Sequence, residues 1–339
     1  MSILLSLIIL VISLVVILAG AGLFTNGIEW LGKKLKLSEG TVGSILAAVG
    51  TALPESMIPV IAIISGHGEA ASHVGIGAIL GAPFMLGTLA FFVVGISALL
   101  FKKRAQGSSL TVDSAVFERD IRFFLIVYAL AISMSFVNLQ WVRYIVAILL
   151  VVLYTVYVYQ TVKSGKTLDE SELDPLIFAK KADDPRTAIV ITQVLIALIG
   201  IVLGARLFVN ALTDVAMVFN VSPLLLSLII APVATELPEK FNSIFWVRDG
   251  KDTLAMGNIT GAMVFQSSMI PALGIAFTPW ELSPSALLSV ILALISVSIV
   301  YVYVKKRAQL KAKVLIFSGS FYLLFLACVI MGLVFNWPL

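Results

Sequence analysis

The sequence has one cysteine, two histidines and few charges; only 12% of its 339 residues are Asp, Glu, Lys or Arg. The lone Cys328 excludes a disulfide framework, and with His67 and His73 as the only imidazoles a thiolate or zinc cluster is excluded too. There is no phosphate-binding glycine loop and no basic arm, so no nucleic-acid partner is expected. Scarcity of charge also excludes an ordinary soluble domain. Sixty per cent of the residues are hydrophobic and the mean hydropathy is +1.08, so lipid is the solvent for most of the chain.

Crossing the hydrocarbon layer takes roughly 20 apolar residues per helix. Apolar runs at 2–30, 39–65, 73–101, 120–137, 141–162, 187–218, 222–247, 253–276, 284–304 and 314–336 predict ten spans. Residues 2–19 read as the first of these rather than a cleaved signal, because a basic n-region is missing and the segment recurs inside the chain. Basic clusters fall at Lys33-Lys34, Lys102-Lys103-Arg104, Lys180-Lys181, Arg248 with Lys251, and Lys305-Lys306-Arg307. All lie on one side of this layout, which the positive-inside rule makes cytoplasmic, with the N and C termini outside. Trp141, Trp280 and Trp337 are then expected at the outer interface, Trp30 and Trp246 near the inner one.

The chain repeats itself. Residues 22–55 align without a gap on 206–239, matching Leu23/Leu207, Phe24/Phe208, Asn26/Asn210, Thr51/Thr235 and Leu53-Pro54-Glu55/Leu237-Pro238-Glu239. Further on, Gly77 and Gly81 match Gly257 and Gly261. Five spans per half is an odd number, so the second half enters the membrane upside down. The expected fold is an all-α integral membrane protein of ten transmembrane helices in two inverted five-helix repeats, residues 1–162 and 187–339, joined by a cytoplasmic connector at 163–186. The connector contains LDESELDPL but lacks the glycine and ligand spacing of an EF-hand, and is expected to be solvated. Inverted repeats characterise secondary transporters, whose site lies at the midplane.

Three glutamates fall near the middle of the second and seventh spans, in Thr51-Ala52-Leu53-Pro54-Glu55 and Thr235-Glu236-Leu237-Pro238-Glu239. A charge at that depth costs about 2.5–3.5 kcal/mol on insertion scales, so such groups persist only when paired, protonated or bound to a cation. Pro54 and Pro238 cannot donate to the carbonyls of Gly50 and Ala234, and are expected to break their helices. Each half thus offers a carboxylate, a threonine hydroxyl and a carbonyl, hard oxygens of the kind calcium or sodium takes. Gly77-x-x-x-Gly81 and Gly257-x-x-x-Gly261 read as close-packing surfaces for the neighbouring helices. Glu236 has two readings: a cation ligand, or a partner for Lys240 at the i,i+4 spacing.

These motifs resemble those of the cation/calcium antiporter superfamily, specifically the membrane region of the sodium/calcium exchangers. The resemblance covers nearly the whole length through Gly50-Thr51-Ala52-Leu53-Pro54-Glu55 with Gly77 to Pro83, and Ala234-Thr235-Glu236-Leu237-Pro238-Glu239 with Gly257-Asn258 to Met263. It implies that Glu55 and Glu239 are central cation ligands with Thr51 and Thr235 beside them. It also implies alternating access in which the first and sixth helices slide against a stationary core. The chain departs from the family pattern at Ala52, Glu236, Pro83 and Met263, and Asn258, Gln266 and Ser267 offer replacement polar groups.

The resulting expectation is a secondary antiporter, not an enzyme, exchanging calcium or another divalent cation for sodium or protons. Its metal ligands would be Glu55, Glu239, Glu236, Thr51, Thr235, Gly50, Ala234 and Asn258. The cations are substrates, no cofactor is expected, and no obligate protein partner is evident beside the lipid bilayer of a prokaryotic cell membrane. The alternatives are a relative that carries another cation or does not transport, and an ion channel using the glutamates as a selectivity ring.

Overall fold

The structure is a computed structural model that describes residues 3–35, 53–65, 69–101, 104, 107–164, 174–307 and 309–335. Helices run over Ile3–Lys34 (α1), Leu53–Ser65 (α2), Glu69–Leu100 (α3), Ser114–Ser133 (α4), Gln140–Ser164 (α5), Thr187–Phe219 (α6), Pro223–Arg248 (α7), Asp252–Phe277 (α8), Pro284–Arg307 (α9) and Ala312–Phe335 (α10). One two-residue strand pair, Ser109–Leu110 (β1) with Leu310–Lys311 (β2), is antiparallel. Among the described residues seven helices are long and apolar enough to cross a membrane, and Glu55–Ile64 and Pro223–Glu236 are shorter apolar stretches. The chain is an all-α integral membrane protein.

The helices form two compact units that do not coincide with the two sequence halves: Met1–Ser72 with Thr155–Val221, and His73–Tyr154 with Ser222–Leu339. In the first unit α1 packs along α6. A Cβ placed on Gly20 would lie 2.8 Å from Ile201 Cγ1, and one on Gly204 would lie 2.9 Å from Ile17 Cγ1. In the repeat alignment Gly20 corresponds to Gly204 and Ile17 to Ile201, so the contact is reciprocal. Further along, Gly27 meets Val194. Partner numbers fall as α1 numbers rise, so the helices are antiparallel and related by a local two-fold. Glycine is required here because any side chain would enter its neighbour's atoms.

The last part of the connector is docked on this unit, where the sequence suggested a solvated loop. Asn26 Oδ1 accepts from Ile177 N at 3.0 Å and from Gln193 Nε2 at 3.0 Å, and Trp30 Nε1 donates to Asp174 O at 2.9 Å. Leu176 is buried with Trp30 and Val190. Lys34 pairs with Asp184, and that hydrogen bond holds the Asp184 carboxyl below the usual carboxylate range. Burial of Leu176 supplies the driving force that the surrounding charges conceal. Asn210, the repeat mate of Asn26, is exposed.

In the second unit α3 lies against α7. A Cβ on Gly77 would sit 2.2 Å from Leu224 O, and one on Gly81 2.2 Å from Leu228 O, while Ser227 Oγ donates to Val74 O at 2.7 Å. No described atom comes within 4 Å of a Cβ built on Gly257 or Gly261. A π turn at Leu86–Ala90 in α3 lets Gly87 O accept from Ser296 Oγ of α9 at 2.7 Å. α7 runs unbroken through Pro238, a correction to the expected break. One missing donor removes one rung, and the remaining intrahelical bonds carry the helix across.

Trp280 is likewise not an interfacial anchor. It is fully buried with φ 51°, its ring fills the space beside Gly274, and its Nε1 donates to Ala131 O at 3.0 Å. Trp141 is 62% exposed, as a belt residue should be, whereas Trp30 is buried beneath the connector. Arg104 Nη2 reaches both carboxylate oxygens of Asp252 at 2.5 Å, with Thr111 N donating to Oδ2 at 2.9 Å. This pair is buried and anchors the segment after α3 to the start of α8, where the helix dipole favours an anion.

Gly77→Ala must displace a backbone carbonyl and is expected to destabilise by about 1–3 kcal/mol. Gly200→Ala faces open space and is expected to be neutral or slightly stabilising. Thermal unfolding of the two purified variants in detergent checks this, and equal shifts would contradict the close approach of α3 and α7.

Candidate cation-binding site

The second unit holds the better-described half of the candidate site. On α7, Glu236 is fully buried and Thr235 is 1% exposed. Glu236 Oε1 accepts from Gln266 Nε2 of α8 at 3.4 Å. Thr235 Oγ1 donates to Ala231 O at 3.0 Å, one turn back. A hydroxyl whose proton is used on its own helix turns its lone pairs outward, the form in which it can serve a cation. Ser267 and Ser268 on α8 are buried and arranged the same way, both donating to Val264 O, at 3.1 and 2.6 Å. Ala234 and Asn258 are half-buried on α7 and α8.

In the first unit Glu55 lies in the first turn of α2 and is 6% exposed, next to buried Ser56. Pro59 follows inside the same helix and has no N–H for the carbonyl four residues earlier. Thr51 and Gly50 lie outside the described residues, and so do the side chains of Glu239 and Lys240. The choice between Glu236 as a ligand and as the partner of Lys240 therefore lies outside the described residues. No group of three or more His, Cys, Asp or Glu side chains gathers among the described residues.

Sequence reasoning missed a second polar cluster in this unit. Asp120 of α4 is 3% exposed, and its Oδ2 accepts from Thr260 Oγ1 of α8 at 2.9 Å. Arg119 Nη2 and Nε hold the other oxygen at 3.0 and 3.2 Å. The signal was present: Phe117, Ile121, Phe124 and Tyr128 form the buried stripe of α4, and Asp120 stands on that stripe. Its neighbours Arg119 and Arg122 read instead as markers of a span boundary. Thr260 lies within the Gly257–Gly261 motif, so this hydrogen bond fixes the register of α8, which carries Asn258 and Gln266.

The family model for the sodium/calcium exchanger protein matches residues 5–163 and 189–335, and the chain belongs to this family of cation transporters. Inner membrane protein YrbG of Escherichia coli is 28% identical over 249 residues, covering 72% of this chain and 71% of YrbG. Putative antiporter CaxA of Alkalimonas amylolytica is 24% identical over 330 residues, covering 93% and 97%. A crystal structure of the H+/Ca2+ exchanger CAX superposes with TM-score 0.74 at 19% identity, covering 96% of this chain and 82% of that one. The sodium-calcium exchanger NCX_Mj superposes with TM-score 0.57 at 21% identity, covering 96% and 98%. With its matching family and its long apolar helices, this chain is an integral membrane protein.

Thr260→Val removes the hydroxyl that donates to the buried Asp120 carboxylate. The expected loss is about 1–3 kcal/mol of stability. A double-mutant cycle with Asp120→Asn, read by thermal unfolding, should show the two changes to be coupled. Strict additivity would mean that the bond contributes nothing to the α4–α8 contact.

Proposed function

We propose that the chain is a secondary antiporter that carries calcium, or another divalent cation, in exchange for sodium or protons. The observation that carries this reading is a buried acidic motif present twice. Glu236 and Thr235 are buried on α7, where Gln266 of α8 donates to Glu236, and in the matching motif of the other half Glu55 is buried on α2. Ionisable residues buried at membrane depth mark ion pathways, and carboxylates repeated in both halves are groups that a transported cation can use.

In this reading Glu55 and Glu239 are the central ligands, related by inverted five-helix repeats of a ten-helix fold with both termini outside. Thr51, Thr235, Asn258 and the carbonyls of Gly50 and Ala234 complete the oxygen set, and Glu236 adds a carboxylate where the family pattern has serine. No resident cofactor takes part. The reciprocal glycine contacts of α1 and α6 support the repeat, and they also suit two helices that slide as a pair. Competition for the same carboxylates couples the ions: the occupied, neutralised site can pass between its inward- and outward-facing states, whereas bare charges resist occlusion. A carboxylate binds a proton as well as a metal cation, which leaves protons as a competent counter-ion.

The test is uptake by purified protein in liposomes under imposed gradients. Calcium entry should saturate and should require an opposing sodium or proton gradient. Glu55→Gln and Glu239→Gln should each lower it by about tenfold or more, since each removes a charged ligand. Calcium flux without a counter-ion would favour a channel, and no flux of calcium, magnesium, manganese or sodium would identify a relative that does not transport.

A further inference from the structure

One face of α9 carries an apolar stripe with a basic end. Leu294, Ile295, Ser298, Ile299, Val302, Tyr303, Lys306 and Arg307 line a shallow, open groove along it. The residues recur in pairs at helical spacing, so they form a single stripe along the helix. At 1.5 Å per residue, the stripe from Leu294 to Arg307 is about 20 Å long. Half of the hydrocarbon core is about 15 Å thick, so the stripe matches one leaflet, with its basic end at headgroup level.

We infer that this groove binds an anionic phospholipid, its acyl chain along Leu294 to Val302 and its phosphate on Lys306 and Arg307. The charge is available. Lys305 is engaged over the Tyr301 ring at 5.7 Å, whereas Lys306 and Arg307 are exposed and form no ion pair with any described residue. Tyr303, half-buried one turn before Arg307, places a phenol where the glycerol and ester groups of a lipid lie. Basic pockets beside membrane helices recognise anionic headgroups through such charge. A second copy of the chain fits less well. Two copies in the same membrane orientation would bring Lys306 and Arg307 against their own counterparts, and like charges in contact oppose association.

Native mass spectrometry of the purified chain with added phosphatidylglycerol or phosphatidylcholine tests this. Phosphatidylglycerol should be retained preferentially. The double variant K306Q/R307Q should weaken its binding by about tenfold or more while leaving phosphatidylcholine binding unchanged. Ser298→Trp keeps the charges but fills the groove, and should weaken both lipids. The control K180Q/K181Q removes two exposed lysines of the connector and should change neither. Melting temperatures identify any variant that fails to fold, and the groove-filling and charge variants serve as independent checks on each other. Equal retention of the two lipids by the wild type, or an equal loss in K180Q/K181Q and K306Q/R307Q, would overturn the inference. So would lipid-independent dimers that Ser298→Trp abolishes, because the groove would then belong to a second copy.

Discussion

A carboxylate in hydrocarbon must be compensated, and the described acidic side chains of this protein are compensated in different ways. Asp252 is clamped by the guanidinium of Arg104 and the amide of Thr111. Asp120 is held by Arg119 and Thr260. Both have a cation of the protein's own at contact distance; Asp120 joins α4 to α8, and Asp252 ties the start of α8 to the segment after α3. Glu236 has a neutral amide, Gln266, as its described neighbour, with serine hydroxyls on the same helix. Removing one member of a buried ion pair costs about 3–5 kcal/mol, so Arg104–Asp252 serves as fixed architecture. Glu236 belongs to the acidic motif present in both halves of the chain, and in the proposed exchanger it serves the transported cation.

Close backbone approach is the second physical theme. Gly20 and Gly204 let α1 and α6 meet about a local two-fold, and Gly77 and Gly81 bring α3 onto the carbonyls of Leu224 and Leu228 in α7. The two contacts differ in kind. The first sets isoleucine side chains against glycine, with the carbonyls of Ala197 and Ser13 slightly farther off. The second sets glycine directly against backbone oxygen and is reinforced by Ser227 to Val74, so it resists sliding. In the proposed exchanger, that difference separates a moving pair from a stationary frame.

Much of this was legible because lipid imposes simple rules. Long apolar runs, clustered lysines and a gapless repeat need no tertiary knowledge, and Gln266 was marked as a polar group near the site. The misses share a cause: each concerns a residue whose environment is set by a distant segment. Trp280 reads as an interfacial anchor until Gly274 and Ala131 enclose it. The connector reads as solvated because its charges hide Leu176, whose partners Trp30 and Val190 are far away in sequence. Asp120 was overlooked because Arg119 and Arg122 drew the reading toward a boundary. Pro238 was expected to break α7, but a missing donor does not reveal whether the neighbouring rungs hold.

The central claim is that acidic groups from both halves of the chain serve one ion. Equilibrium binding of radioactive calcium to the purified protein tests it most directly. A shared site predicts one ion per chain, lost in Glu55→Gln and equally in Glu239→Gln. Two ions per chain, with each substitution removing one and sparing the other, would mean that the halves bind independently and would contradict the account.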